Sequence, residues 1–178
     1  MRIAWAVAIV MVFTPALSRA NEAAYAQAFA TLQKTYTPYD MDAATAKTAE
    51  EKRFLSLLFL EVARAATLRV KLQEAMEQGR NVTDWESAYA QILHAMRSLQ
   101  PPENLRAVQT LIVKVVEKHE QIFLTWRSEG WKKLDVEDTR VGETHHQLLA
   151  AYTMLIGIYP QDKNQRVFYD HLCTLDFI

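Results

Sequence analysis

Apolar residues recur along this chain in alternating steps of three and four. Val82, Trp85, Tyr89, Ile92, Met96 and Leu99 make one such series. Leu105, Val108, Ile112, Val115, His119, Ile122 and Trp126 make a second, with a histidine in one apolar slot. Val141, His145, Leu148, Tyr152, Leu155 and Tyr159 make a third, again with one histidine. Steps that average about 3.5 residues keep one face of a helix turned to a neighbour. Their alternation predicts antiparallel helices packed at shallow angles. Leu111 to Val113 and Val115-Val116 are β-branched enough to suggest a strand. The sustained helical period outweighs them, because propensity is the weaker signal.

Prolines, glycines and capping residues cut the chain into elements. A short helix is predicted over 22–34, with Tyr25, Phe29 and Leu32 on one side, followed by a connection over 35–42 that contains Pro38. A long helix follows over 43–78, and Thr48 with Glu51 has the spacing of a capping box that marks an alternative start. Phe54, Leu55, Leu57, Leu58, Phe59 and Leu60 make that helix apolar nearly all round, which predicts a central, buried stretch. Gly79 suits the left-handed residue that closes a helix. The next helix is expected to open at a second Thr-x-x-Glu box, Thr83 to Glu86, and to stop at Pro101-Pro102, which also starts its successor. The fifth helix is expected over 135–158, and a last short one over 162–175 carries Val167, Phe168, Leu172 and Leu175. The prediction is therefore all-α: an up-down bundle of four principal helices, with short extra helices at the N- and C-termini.

The N-terminal twenty residues read differently. Arg2 precedes an uninterrupted apolar run, Ile3 to Phe13, which Pro15 ends, and Ser18 and Ala20 are small residues placed for signal peptidase. The expectation is a secretory signal over 1–20, cut after Ala20, and a single bundle domain over 21–178 in the periplasm or outside the cell. The competing reading is an uncleaved anchor, against which the run is short of the ~20 apolar residues a span takes. Losing Arg2 and Arg19 leaves 18 basic residues against 21 acidic ones. That mildly acidic balance offers no footprint for nucleic acid. No other run has membrane-spanning length without charges. The single cysteine, Cys173, excludes an internal disulfide, so packing alone must hold the fold.

Chemistry enters through histidines. His119 and His145 take seam positions, and the turn between their helices, near residue 131 or 132, sets position 119 opposite 144 or 145. Two facing imidazoles point to a transition metal, with His146 and Glu143, in Glu-x-x-His spacing, or Glu120 as further ligands. The reading set ahead of it is a neutral core pair, hydrogen-bonded to each other, to tyrosine or to buried water, and a third is a pH-sensitive pair whose like charges resist double protonation. The tip Trp126-Arg127-Ser128-Glu129-Gly130-Trp131-Lys132-Lys133 mixes aromatics with cations and is a candidate for a protein interface or an anionic membrane surface, behind the plainer reading that both tryptophans close the bundle while the cations complement the helix C-terminus. Cys173 reads as a small buried apolar residue, with a disulfide in a homodimer as the next reading. Its neighbour His171 lies about 200° away around a helix, which rules against a Cys-His nucleophile. Asn81-Val82-Thr83 matches the glycosylation sequon.

No haem-attachment, zinc-protease, phosphate-loop or serine-hydrolase motif occurs. The functional expectation is an exported, non-enzymatic binding or accessory protein with a protein partner or small ligand. A bundle carrying a metal on His119 and His145 is the second reading, and an enzyme with a scattered site is the third.

Overall fold

The computed structural model describes residues 48–80, 82–130, 138–161 and 165–177. The expected signal over 1–20, the helix over 22–34, the Pro38 connection, the glycosylation asparagine Asn81 and Trp131 lie outside those residues.

Among the described residues the chain is all helix, in five α-helices: α1 Ala49–Glu77, α2 Trp85–Ser98, α3 Arg106–Ser128, α4 Thr139–Ile158 and α5 Gln165–Cys173. α1 starts where its capping box places it. The Thr48 side chain accepts from the Glu51 backbone N–H at 3.1 Å, and the Glu51 carboxylate accepts from the Thr48 N–H at 2.7 Å. Glu51 also accepts from Asn104 at 2.6 Å, which ties the start of α1 to the turn between α2 and α3. α1 ends in a Schellman motif: Gly79 stands at φ 65°, its N–H donates to the Met76 carbonyl and the Arg80 N–H to that of Ala75.

α2 begins one residue later than its Thr-x-x-Glu spacing predicts. Asp84, at φ 62°, is the N-cap and makes no side-chain capping bond. The apolar face of α2 lets Trp85 reach the core from the first turn, and that burial offsets the weak cap. Gln109 Nε2, buried on α3, donates to the Met96 and Leu99 carbonyls and so closes the end of α2. After Pro101-Pro102 a single 3-10 turn, Glu103–Leu105, leads into α3.

Consecutive helices are packing neighbours along α1, α2, α3 and α4, and α5 lies against both α4 and α1. All seven positions of the α3 series are buried, His119 among them. Phe123, one step off that series, is an aromatic hub, its ring 5.7–6.3 Å from those of Trp85, Tyr89, Trp126 and Phe177. A second aromatic group, Phe59, Phe168, Tyr159 and His171, joins α1 to α5.

Two expectations about burial are corrected. Leu57 and Leu60 are 39 and 38% exposed, because α2, α3 and α5 leave the outer face of α1 uncovered. On α4 four of the six expected positions, Val141, Leu148, Leu155 and Tyr159, are buried, while Thr144 and Ala151 take the inward places expected of His145 and Tyr152. Thr144 is tolerated there because its hydroxyl donates to the Val141 carbonyl at 2.7 Å.

Candidate functional site

The histidine pair expected across α3 and α4 does not form as expected. The two helices do meet near the expected level: Lys118 on α3 and Glu143 on α4 form a 2.6 Å ion pair. The difference is rotation. One residue along a helix turns a side chain by about 100°, and with Thr144 facing inward, His145 points to the side. Its side chain is 46% exposed, and Nδ1 lies 2.6 Å from Asp176 Oδ2 in the tail that follows α5.

His119 is fully enclosed. Phe177 stands edge-on to its ring with centroids 4.9 Å apart. Neither ring nitrogen reaches a hydrogen-bond partner among the described residues. Burial above all, and then the Arg69 cation, push its pKa down to about 3, and the Leu175 backbone opposes this only weakly. His119 is therefore a neutral imidazole at any ordinary pH. An unpartnered buried polar group costs about 1–3 kcal/mol, so His119 is a cost that the surrounding apolar packing carries.

The other candidate ligands have different surroundings. Glu143 holds Lys118. His146 is exposed, with Nδ1 2.7 Å from the Gly142 carbonyl of its own helix. Burial raises the Glu120 pKa, and its charged neighbours are Glu86, Arg97 and Glu117 on the α2 side of α3. Among the described residues, no three His, Cys, Asp or Glu are placed to hold a metal ion.

The tail residues Thr174 to Phe177 were not legible as part of any site, yet they join three helices. Arg69 of α1 donates to the Thr174 carbonyl from Nε at 3.3 Å and from Nη2 at 3.1 Å, and its guanidinium lies 5.3 Å from the Phe177 ring. Leu175 is buried, Asp176 takes His145 of α4, and Phe177 covers His119 of α3. His171 was also missed as a core residue. It is buried and stacks on Phe59 at 4.9 Å, and burial lowers its pKa. Its step of three from Phe168 and four to Leu175 was the available signal.

The interface candidates separate. Trp126 is core, stacked on Phe123. Arg127 bonds Glu86 at 2.7 Å and lies over the Trp85 ring at 5.4 Å, so it closes the α2–α3 end. Cys173 is exposed rather than buried, because Phe168, Leu172 and Leu175 take the inward face of α5. Its thiol donates to the Asp170 carbonyl at 3.3 Å; partial burial and the Asp170 and Asp176 carboxylates push its pKa up.

Beside Cys173 runs an apolar ridge, exposed at Leu149 and Tyr169 and half-buried at Tyr152. Tyr152 of α4 and Tyr169 of α5 meet edge-to-face at 5.7 Å. Leu149 lies one turn before Tyr152, and Cys173 one turn after Tyr169. Leu149 and Tyr169 are 50 and 53% exposed. No helix among the described residues is long and apolar enough to cross a membrane. No protein-family model, curated protein or solved structure matches the chain.

Proposed function

We propose that the chain is an exported, non-enzymatic protein, its four long helices in up-down order, that acts outside the cytoplasm as a binding or accessory protein. The export pattern over residues 1–20 supports the location. The observation that carries the binding role is the Leu149–Tyr152–Tyr169 ridge. Two large exposed apolar side chains, Leu149 and Tyr169, flanking a half-buried tyrosine favour contact with another protein's apolar surface. Tyrosine suits such a place, because its ring packs while its hydroxyl stays hydrated. In this reading the two buried histidines serve packing. His119 stays neutral, and His171 is sandwiched against Phe59.

The test is photo-crosslinking in the cells that make the protein, with a benzophenone amino acid at position 169 or, as control, at Leu124, an exposed leucine of α3. The reading expects a discrete adduct from position 169 that Leu149→Ser abolishes. Equal adducts from both positions, or none from 169, would contradict it.

A further inference from the structure

Helix α5 and the tail to Phe177 meet three other helices through histidines. His171, on the inner face of α5, is buried and stacks on Phe59 of α1 at 4.9 Å. His119 of α3 is enclosed beneath Phe177, with ring centroids 4.9 Å apart. His145 of α4 lies 2.6 Å from Asp176. Three of the chain's five histidines therefore meet at one seam. Two of them pack against phenylalanine rings inside it, where a charged imidazole loses its water.

We propose that this seam is an acid-sensitive latch: when His119 and His171 take up protons, residues 165–177 detach while α1 to α4 stay packed on one another. At neutral pH both rings serve packing. A proton on either puts a dehydrated charge into the seam, and detachment returns that ring to water. The facing charges do not cancel this. Arg69 of α1, which holds the Thr174 carbonyl, repels a cation at His119. Asp170 of α5 attracts one at His171, but burial outweighs it and lowers that pKa. From α4 the facing groups are His145 and, beside it, His146. The His145–Asp176 contact is one that a charged imidazole strengthens, so it resists release. Burial holds docked His119 to a pKa of about 3, against the ordinary 6.5, so acidifying to about pH 4.5 favours the detached state roughly a hundredfold through this ring alone.

The C-terminal unit leaves first because its helix depends on docking. The nine residues of α5 are fewer than the ~12–15 an isolated helix needs to persist in water. Helices α1 to α4 pack as consecutive neighbours without it. Release uncovers Phe59 and the His119–Phe123 face, and it parts Tyr169 from Tyr152. The latch does not depend on the binding role proposed for the Leu149–Tyr152–Tyr169 ridge.

Hydrogen exchange of the purified protein tests the inference, read by peptide mass between about pH 7.5 and 4.5 and corrected for the pH dependence of a free amide. Below about pH 6.5 the opening constant of the 165–177 amides should rise by up to about tenfold per pH unit for each ring. The α2 and α3 amides should keep their protection over the same range. His119→Leu should reduce the rise by up to about tenfold per pH unit, and His171→Leu should reduce it as well. An opening constant that does not change with pH in the native chain would overturn the proposal. Loss of protection in α2 and α3 in step with α5 would overturn it equally, because acid would then be unfolding the whole bundle. An unchanged pH slope in the histidine variants would do the same.

Discussion

His145 Nδ1 lies 2.6 Å from Asp176 Oδ2, and this contact fastens the side of α4 to the tail that follows α5. The imidazole is nearly half exposed, so water screens the pair and its worth is small, about 0–1 kcal/mol. Asp176→Asn and His145→Ala should each lower the urea-unfolding free energy by less than about 1 kcal/mol, and the double variant by little more than either. A loss several times larger in either single variant would mean that the contact organises the fold rather than trims it.

His119 should give the protein a distinct acid sensitivity. Its folded pKa of about 3 lies well below the ordinary histidine value near 6.5. Between those values the unfolded chain binds a proton that the folded chain refuses, so stability falls as pH falls through that window. The slope from this one group approaches ~1.4 kcal/mol per pH unit. His171, whose pKa is also lowered by burial, acts in the same direction. His119→Leu should therefore flatten the stability profile between pH 6.5 and 5 and leave only the smaller contribution of His171. At neutral pH the same variant should be neutral or more stable, since it removes an unpartnered buried polar group. Denaturant melts at several pH values decide this, and unchanged slopes in His119→Leu would refute the assignment.

The α3 series was legible to its last residue because every member from Leu105 to Trp126 sits on one narrow, fully buried face. The α4 series was legible only in part: Val141, Leu148, Leu155 and Tyr159 are buried, and His145 and Tyr152 are not. Its helix packs α3 on one side and α5 on the other, so two stripes compete for the inward direction. Apolar spacing favoured the His145–Tyr152 stripe, because Thr144 and Ala151 carry almost no hydrophobic signal. Tyr152 and His145 in fact turn toward Tyr169 and Asp176, partners seventeen and thirty-one residues away. Periodicity reports that a face exists; which neighbour it meets depends on contacts remote in sequence. Arg69 and Thr174, 105 residues apart, are the extreme case.

The capping box of α1 was readable from two residues, and it should be measurable with one. Thr48→Ala removes the acceptor for the Glu51 N–H and should cost about 0.5–2 kcal/mol. Burial pushes the Glu51 carboxyl up, but hydrogen bonds from Asn104 and Thr48 outweigh it and hold the pKa below the usual glutamate value. That part of the stability is present above the ordinary carboxylate range and disappears as pH falls through the lowered value. Thermal melts of Thr48→Ala at neutral pH check the cap, and a change within error would show that α1 does not depend on it.

Cys173 combines an exposed position with a thiol pKa pushed up by partial burial and by the Asp170 and Asp176 carboxylates. The thiolate is the reacting species, so alkylation in the native protein should run to completion yet more slowly than for a free cysteine at the same neutral pH. Asp170→Asn should speed it. A native rate above that of the unfolded chain would contradict this electrostatic picture.

The claim on which the functional proposal rests is export. Its most direct measurement is the N-terminal sequence and the cell fraction of the protein as its own cells make it. The account predicts a soluble extracytoplasmic chain that begins Asn21-Glu22-Ala23-Ala24. A chain that begins at Met1, held in the membrane or kept in the cytoplasm, would contradict it.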